Sequence, residues 1–256
     1  MQIITAPSKT QTFNGRDLAD HTLPFGLAKT ERIIARLREL SFAELGRLMK
    51  TSDKLTETTL QRIDQFSLPF SLANARQALF TFQGDAYSSI CGDTYSSAEL
   101  HHAQRHLFIL SGLYGALRPL DLMQPYRLEM GCPLSVDGAS NLYRFWRDQV
   151  TGVINDAASN DTDRTLINLA SAEYAKVIDK SKLQPEMVTI TFKQPHKKGG
   201  YRTIPIYAKR ARGAMIHYMI TDGIDKAEGL LEFNQDGYRF NRKHSTGDQW
   251  IFLQEL

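Results

Sequence analysis

Residues 110–130 read LSGLYGALRPLDLMQPYRLEM, and how this stretch divides between helix, turn and loop decides the architecture around it. Gly112 and Gly115 flank an aromatic, Tyr114, and Pro119 and Pro125 follow. Arg118, Asp121, Arg127 and Glu129 alternate in charge. Glycine and proline both disfavour a helix interior, so this is no core helix. Upstream, Leu100, Ala103, Leu107 and Leu110 share one helical face, which predicts a helix over 97–110 ending at a glycine turn. An irregular, charge-presenting loop would come next, and such loops often carry function.

Working outward, the apolar run 2–5 ends in APSKT at 6–10, the pattern of a central or near-central strand of a mixed sheet entering a polar loop. Ile33, Ile34, Leu37, Leu40, Leu45 and Leu48 space as two helices within 27–49, with Ser41 and Glu44 forming a capping box at the second. A further helix is expected from Thr51 into Phe66, with Ser52 near its start, and Pro69 marks a break. Residues 73–82 begin helical and read as a buried strand from Ala78 to Phe82, while GDAYSS at 84–89 reads as a turn. Residues 141–155 form another helix. LINLA at 166–170 is a short strand running into Ser171, Ala172, Glu173 and Tyr174. Residues 188–192 and 201–206 pair as a hairpin around the basic, glycine-rich turn 196–200. A helix with a cationic start covers 208–220, and 238–241 with 249–253 close the chain as a strand pair. No repeat, low-complexity tract or linker interrupts it, so one domain is expected over 1–256. Strands and helices intermix without a regular βαβ rhythm. The expected class is α/β (mixed α+β), with a mixed sheet surrounded by helices.

Composition narrows the function only coarsely. Of 256 residues, 42% are apolar and 23% charged, ordinary for a globular protein. The net charge is +3, from 31 basic and 28 acidic residues, which permits a basic patch without demanding one. Cys91 and Cys132 form no C-x-x-C pair and read as reduced thiols, with a redox role left open. The N-terminal MQIITAPSKTQ lacks the features of a signal peptide, and no window approaches the roughly 20 apolar residues of a membrane span. A cytoplasmic protein with no membrane partner is expected.

Three constellations can carry chemistry. The first is the pair of strand exits, 6–10 and 170–176, each offering small polar residues and a lysine over the crevice where loops leave a sheet. Lys9 can neutralise a phosphate or carboxylate, with Ser8 and Thr10 as hydroxyl donors; the same residues also read as a plain structural turn. The glycines of a P-loop are missing. The second is YAKRAR at 207–212, where Lys209, Arg210 and Arg212 crowd a helix start. Cations there oppose the helix dipole unless an anion is bound, although acidic neighbours on a surface helix would also satisfy them. His196, Lys197, Lys198 and Arg202 would extend that basic surface. The third is the glycine hairpin at 112–115, which approximates a helix-hairpin-helix whose backbone N–H groups approach a phosphate; a simple helix end explains the glycines as well. Asp85, Asp121, Glu129 and Glu173 are the carboxylates of these unusual loops. His102 and His106 lie one helical turn apart, but no third ligand has suitable spacing. Neither a metal nor a cofactor is expected.

The segments APSKT (6–10), RLMKTSDKL (47–55), FQGDAY (82–87), LSGLYGALRPLDLMQPYRLEMG (110–131), NLYRFW (141–146), INLASAEY (167–174) and YAKRARG (207–213) together resemble the YaaA family of bacterial peroxide-stress proteins. The resemblance runs through almost the whole chain. It implies a cytoplasmic protein that lowers free intracellular iron and limits DNA damage. It also implies one unusual α/β domain that binds DNA through a basic cleft and a helix-hairpin-helix-like element. On that footing Gly112, Gly115, Lys9, Lys54, Arg118, Arg127, Lys176, Lys209, Arg210 and Arg212 become candidate DNA contacts. Ala6 stands where the family usually shows Ser, which removes one hydroxyl and leaves Lys9 untouched. No reaction comes with the family.

Two functions follow as expectations. One is a binder of duplex or distorted DNA that grips phosphates with little sequence preference. The alternative is an enzyme acting on DNA or an unidentified phosphorylated small molecule, in a pocket of Ser8, Thr10, Asp121, Ser171, Glu173 and Tyr174 with Lys9 and Arg127. Direct iron handling lacks a visible ligand set.

Overall fold

The computed structural model describes every residue except Gly15, Asp17, Lys198 and Leu256. Lys198, expected on the basic hairpin turn, lies outside the described residues. The chain opens with strand β1 (Gln2–Thr5) and helices α1 (Leu27–Arg38), α2 (Phe42–Met49) and α3 (Asp53–Gln65). Next come β2 (Arg76–Gln77), the short helices α4 (Ala78–Thr81) and α5 (Asp85–Ile90), and α6 (Ser97–His106). Strands β3 (Leu107–Ser111), β4 (Gly115–Leu117) and β5 (Leu122–Met123) lead to the long α7 (Leu142–Ser159). After β6 (Thr165–Asn168), α8 (Ala172–Ala175), β7 (Glu186–Pro195) and β8 (Tyr201–Arg202), helix α9 (Pro205–Thr221) precedes the closing strands β9 (Tyr238–Phe240) and β10 (Gln249–Gln254).

Among the described residues, eight strands form one mixed sheet in the order β4-β3-β1-β6-β7-β10-β9, with β8 paired to β7. The five strands β3, β1, β6, β7 and β10 are mutually parallel, and β4, β8 and β9 add antiparallel edges. The class is therefore the mixed α/β one expected. Strand β1 is buried along its whole length, as a parallel strand covered on both faces is, with apolar Ile3 and Ile4 between the polar ends Gln2 and Thr5. Its register sets Ile3 beside both Leu107 and Ile167. From β1 the chain next joins the sheet at β3 on one side, whereas from β6 it joins at β7 on the other. The C-terminal ends of β1 and β6 thus flank a topological switch point, where open sheets leave a crevice.

Several expected helices form as read. Ser41 caps α2, its Oγ accepting from the Glu44 N–H while Glu44 Oε2 accepts from the Ser41 N–H at 2.9 Å. Ser52 precedes α3, and α7 begins after Asn141, whose Oδ1 accepts from the Arg144 N–H.

Five expectations are corrected. The helix of 97–110 stops at His106, and 107–111 is β3, parallel to β1. Leu107 and Leu110 have helical spacing only because every residue of LFIL is buried in a central strand. The glycine hairpin therefore joins two antiparallel strands, β3 and β4, and is not a helix-hairpin-helix. Residues 78–81 are a helical turn rather than a strand, and 85–90 are helix rather than turn. Helix α9 starts at Pro205, proline being suited to a first turn, so Lys209 and Arg210 fall in its second turn.

Two glycines fix the packing near the site. Gly115 has φ +74°, and a Cβ there would overlap the indole of Trp146. Trp146 Nε1 donates to the Gly112 carbonyl at 2.9 Å, locking α7 onto the hairpin. Gly213 lets α5 lie directly on α9, since a Cβ would overlap the Ala86 carbonyl oxygen.

Candidate functional site

The crevice at the switch point is a cavity of about 420 Å³. The loop after β1 supplies one wall, from Thr5 to Gln11, and the loop after β6 another, with Leu169, Ser171, Glu173 and Tyr174. Residues 83–87 at the start of α5, residues 126–129, and Lys209 with Arg212 of α9 complete it. The β1 exit is held in shape from both sides. Tyr87 OH donates to the Ala6 carbonyl at 3.0 Å, the Gln83 N–H donates to the Thr10 carbonyl, and Gln11 Oε1 accepts from the Tyr126 N–H. Ser8 Oγ accepts from the Thr10 N–H at 3.2 Å, which leaves its own hydroxyl proton for another acceptor. Ser171 caps α8, its Oγ accepting from the Tyr174 N–H.

The acidic groups of the cavity are engaged. Glu129 accepts from Tyr174 OH at 3.2 Å and lies 3.7 Å from Lys9 Nζ. Glu173 Oε1 accepts from the Gly131 N–H at 3.0 Å, and Asp85 pairs with Arg210 Nε at 3.3 Å. The basic groups are less occupied. Arg127, Lys209 and Arg212 carry no ion pair among the described residues. Arg212 Nε is sealed from solvent with no acceptor, and burial holds its guanidinium below the ordinary arginine value. Burial, then the charge of neighbouring Arg127, does the same to Arg62 just behind the wall. Burial, then Tyr126 and the carboxylates Glu129 and Glu173, pushes Tyr174 well up, so it stays a phenol and a hydrogen-bond donor. Two nearly bare arginines and a lysine beside engaged carboxylates make a site that favours a bound anion.

Of the residues singled out in the sequence, Ser8, Lys9, Thr10, Asp85, Arg127, Glu129, Ser171, Glu173, Tyr174, Lys209 and Arg212 meet at this cavity. Arg210 stands beside it through Asp85. The others do not line it. Asp121 is fully buried elsewhere, accepting from Thr22 Oγ1 at 2.5 Å, from the Arg118 N–H at 2.8 Å and from Arg118 Nη2 at 3.0 Å. Arg118 covers the Phe25 ring at 4.3 Å, and this pair is structural. Gly112 and Gly115 are buried against Leu128 and Trp146, so their backbone cannot meet a phosphate. Lys54 sits in the first turn of α3, and Lys176 lies over the Tyr143 ring at 5.0 Å. The sequence reading overlooked Tyr87, Tyr126 and Gln11 as wall residues. FQGDAY was a usable signal, because Gly84 takes φ +100° and turns the chain into α5 beside Ser8.

A family model described as peroxide stress protein YaaA matches residues 1–244. The chain is similar to a UPF0246 protein of Acaryochloris marina, 46% identical over 254 residues that cover 99% of this chain and 100% of the relative. It is similar also to UPF0246 proteins of Shewanella sediminis, at 42% over 100% of this chain and 99% of that one, and of Desulfotalea psychrophila, at 45% over 98% and 97%. With a family match and full-length relatives both in place, the chain belongs to the YaaA family of peroxide stress proteins.

Proposed function

We propose that this protein binds DNA through the cavity and its rim, gripping phosphates with little sequence preference, and that it thereby helps limit free-iron-driven DNA damage during peroxide stress. The observation that supports this is the convergence of Lys9, Arg127, Lys209 and Arg212 from three separate stretches of chain, with only Lys9 paired to a carboxylate among the described residues. Arg210 adds a further cation outside the cavity wall. Phosphate contacts of this kind release counterions, so affinity falls steeply with salt and little with sequence.

Fluorescence anisotropy of labelled duplex, bubble and single-stranded DNA over a salt series tests the reading. The triple variant Lys209→Ala, Arg210→Ala, Arg212→Ala is expected to weaken binding on every sequence alike and to flatten the salt slope by about 2–3. Unchanged affinity in a folded triple variant overturns it.

A second reading has its own observation. Lys9, Glu129 and Tyr174 form a linked acid–base chain on the cavity wall, which a purely electrostatic grip does not need. A turnover screen against damaged DNA and nucleotides decides between the two. Product formation that is lost in Glu129→Gln favours an enzyme, and clean binding without product favours the grip.

A further inference from the structure

The cations of the site lie in two tiers. Lys9 is 62% exposed in its side chain and Arg210 53%, so both can meet a phosphate on any passing backbone. Arg212 is recessed: its Nε has no solvent and no acceptor. Arg212 nevertheless lines the cavity and has no acidic partner among the described residues, so an anion inside the cavity can meet the rest of its guanidinium. The ligand must then enter the cavity rather than lie across it. About 420 Å³ is small-molecule size, roughly the lower half of the usual range for ligand pockets, and far too little for a duplex.

We propose that the cavity is a receptor for a terminal phosphomonoester, carried either by the end of a nucleic-acid strand or by a free nucleoside monophosphate. A phosphomonoester bears about −1.5 to −2 charges near neutral pH, against one for the diester inside a strand. That matches a site where Arg127, Lys209 and Arg212 are all without an acidic partner among the described residues. The phosphate sits against Arg212 and Lys209, with the free hydroxyl proton of Ser8 as a neutral donor. Tyr126 and Leu128, buried residues of the same lining, give the nucleoside an apolar wall. This deepens the DNA reading when the phosphate belongs to a strand end, and stands apart from it when the ligand is a free nucleotide.

The test uses the full chain and four labelled duplexes of one sequence: ends bearing 5′-phosphates, ends bearing 3′-phosphates, hydroxyl ends, and a dumbbell closed by loops at both ends. Adenosine 5′-monophosphate and adenosine are added as unlabelled competitors. At least one phosphorylated duplex is expected to bind about tenfold tighter than the hydroxyl-ended and closed ones, through added charge-assisted hydrogen bonds. Adenosine 5′-monophosphate, but not adenosine, is expected to compete. Arg212→Met is expected to bring the phosphate preference to about one. The comparison among ligands needs no variant, so a variant that fails to fold does not blunt it.

Equal affinity for all four duplexes overturns the receptor and leaves the DNA reading standing. Binding of adenosine 5′-monophosphate without binding of any duplex supports the receptor and overturns the DNA reading. A folded Arg212→Met protein that keeps the full preference overturns the role given to Arg212. No binding of any probe overturns both.

Discussion

Asp121 and Glu129 lie on either side of β5, and their surroundings give them opposite roles. Asp121 is enclosed, and burial raises its carboxyl even though Arg118 and Thr22 pull the other way. Glu129 faces the cavity, where Tyr174 and Lys9 meet it. In the sequence both read alike, as acids in a loop rich in glycine and proline. Nothing local tells which points inward, because that depends on α6, whose Gln104 donates to Thr22 Oγ1 at 2.9 Å. Asp121→Ala is expected to lower stability by about 3 kcal/mol, since it strands a half-buried guanidinium and two donors. The surviving folded protein is expected to bind DNA as the parent does. Denaturant unfolding and anisotropy check the two halves separately. The cysteines divide in a similar way: burial first, then Glu129, pushes the Cys132 thiol up to about 11, whereas Cys91 is less buried. Lys9, Ser171, Glu173 and Tyr174 were legible because strand exits expose their side chains over a crevice whatever the rest of the fold does.

At the scale of elements, legibility followed the strength of the local signal. The capped helix α2, α3 with Ser52 before its first turn, and the long α7 capped by Asn141 carry their start signals in sequence, so they form as expected. The boundary between α6 and β3 carries none, because LFIL satisfies a helix face and a central strand equally. Tertiary pairing with β1 decided it. The same cause removed the helix-hairpin-helix, as its first helix does not reach the glycines. The start of α9 was read too late, which placed its cations at the dipole's positive end, whereas they lie one turn deeper. Their reach into the cavity depends instead on how closely α5 approaches. Gly213→Ala is expected to force those helices apart and cost about 1–3 kcal/mol, the usual penalty for overpacking. Its effect on DNA binding is expected to exceed what partial unfolding explains, because Lys209 and Arg212 shift with the helix. A melting curve beside a binding curve at one temperature checks this.

At the scale of the molecule, the sheet joins residues from both ends of the chain, and its underside holds a second group of titrating residues. The rings of His102 and His106 lie with centroids 4.5 Å apart and tilted by 42°, His106 Nδ1 lies 2.8 Å from the Met1 carbonyl oxygen, and burial lowers both imidazoles below 6.5. The charged neighbours of the pair are Arg105, Asp161 and Asp225 together with the Met1 amine. In the unfolded chain the histidines take up protons near 6.5, whereas in the fold they resist until lower pH. Stability is therefore full above that value and declines as pH falls from it toward the lowered native values. Melting temperatures measured from about pH 8 to 5 are expected to fall on the acid side, with a shallower slope in His102→Gln.

The cavity draws on residues from Thr5 to Arg212, and the strands that shape it, β1, β3 and β6, pair across long separations. Its first wall is thus synthesised well before its deepest cation. A nascent chain carries APSKT without Lys209 and Arg212 until α9 has been made and packed onto α5. On the proposed function, products truncated before α9 are expected to be inert toward nucleic acid rather than to compete with the finished protein.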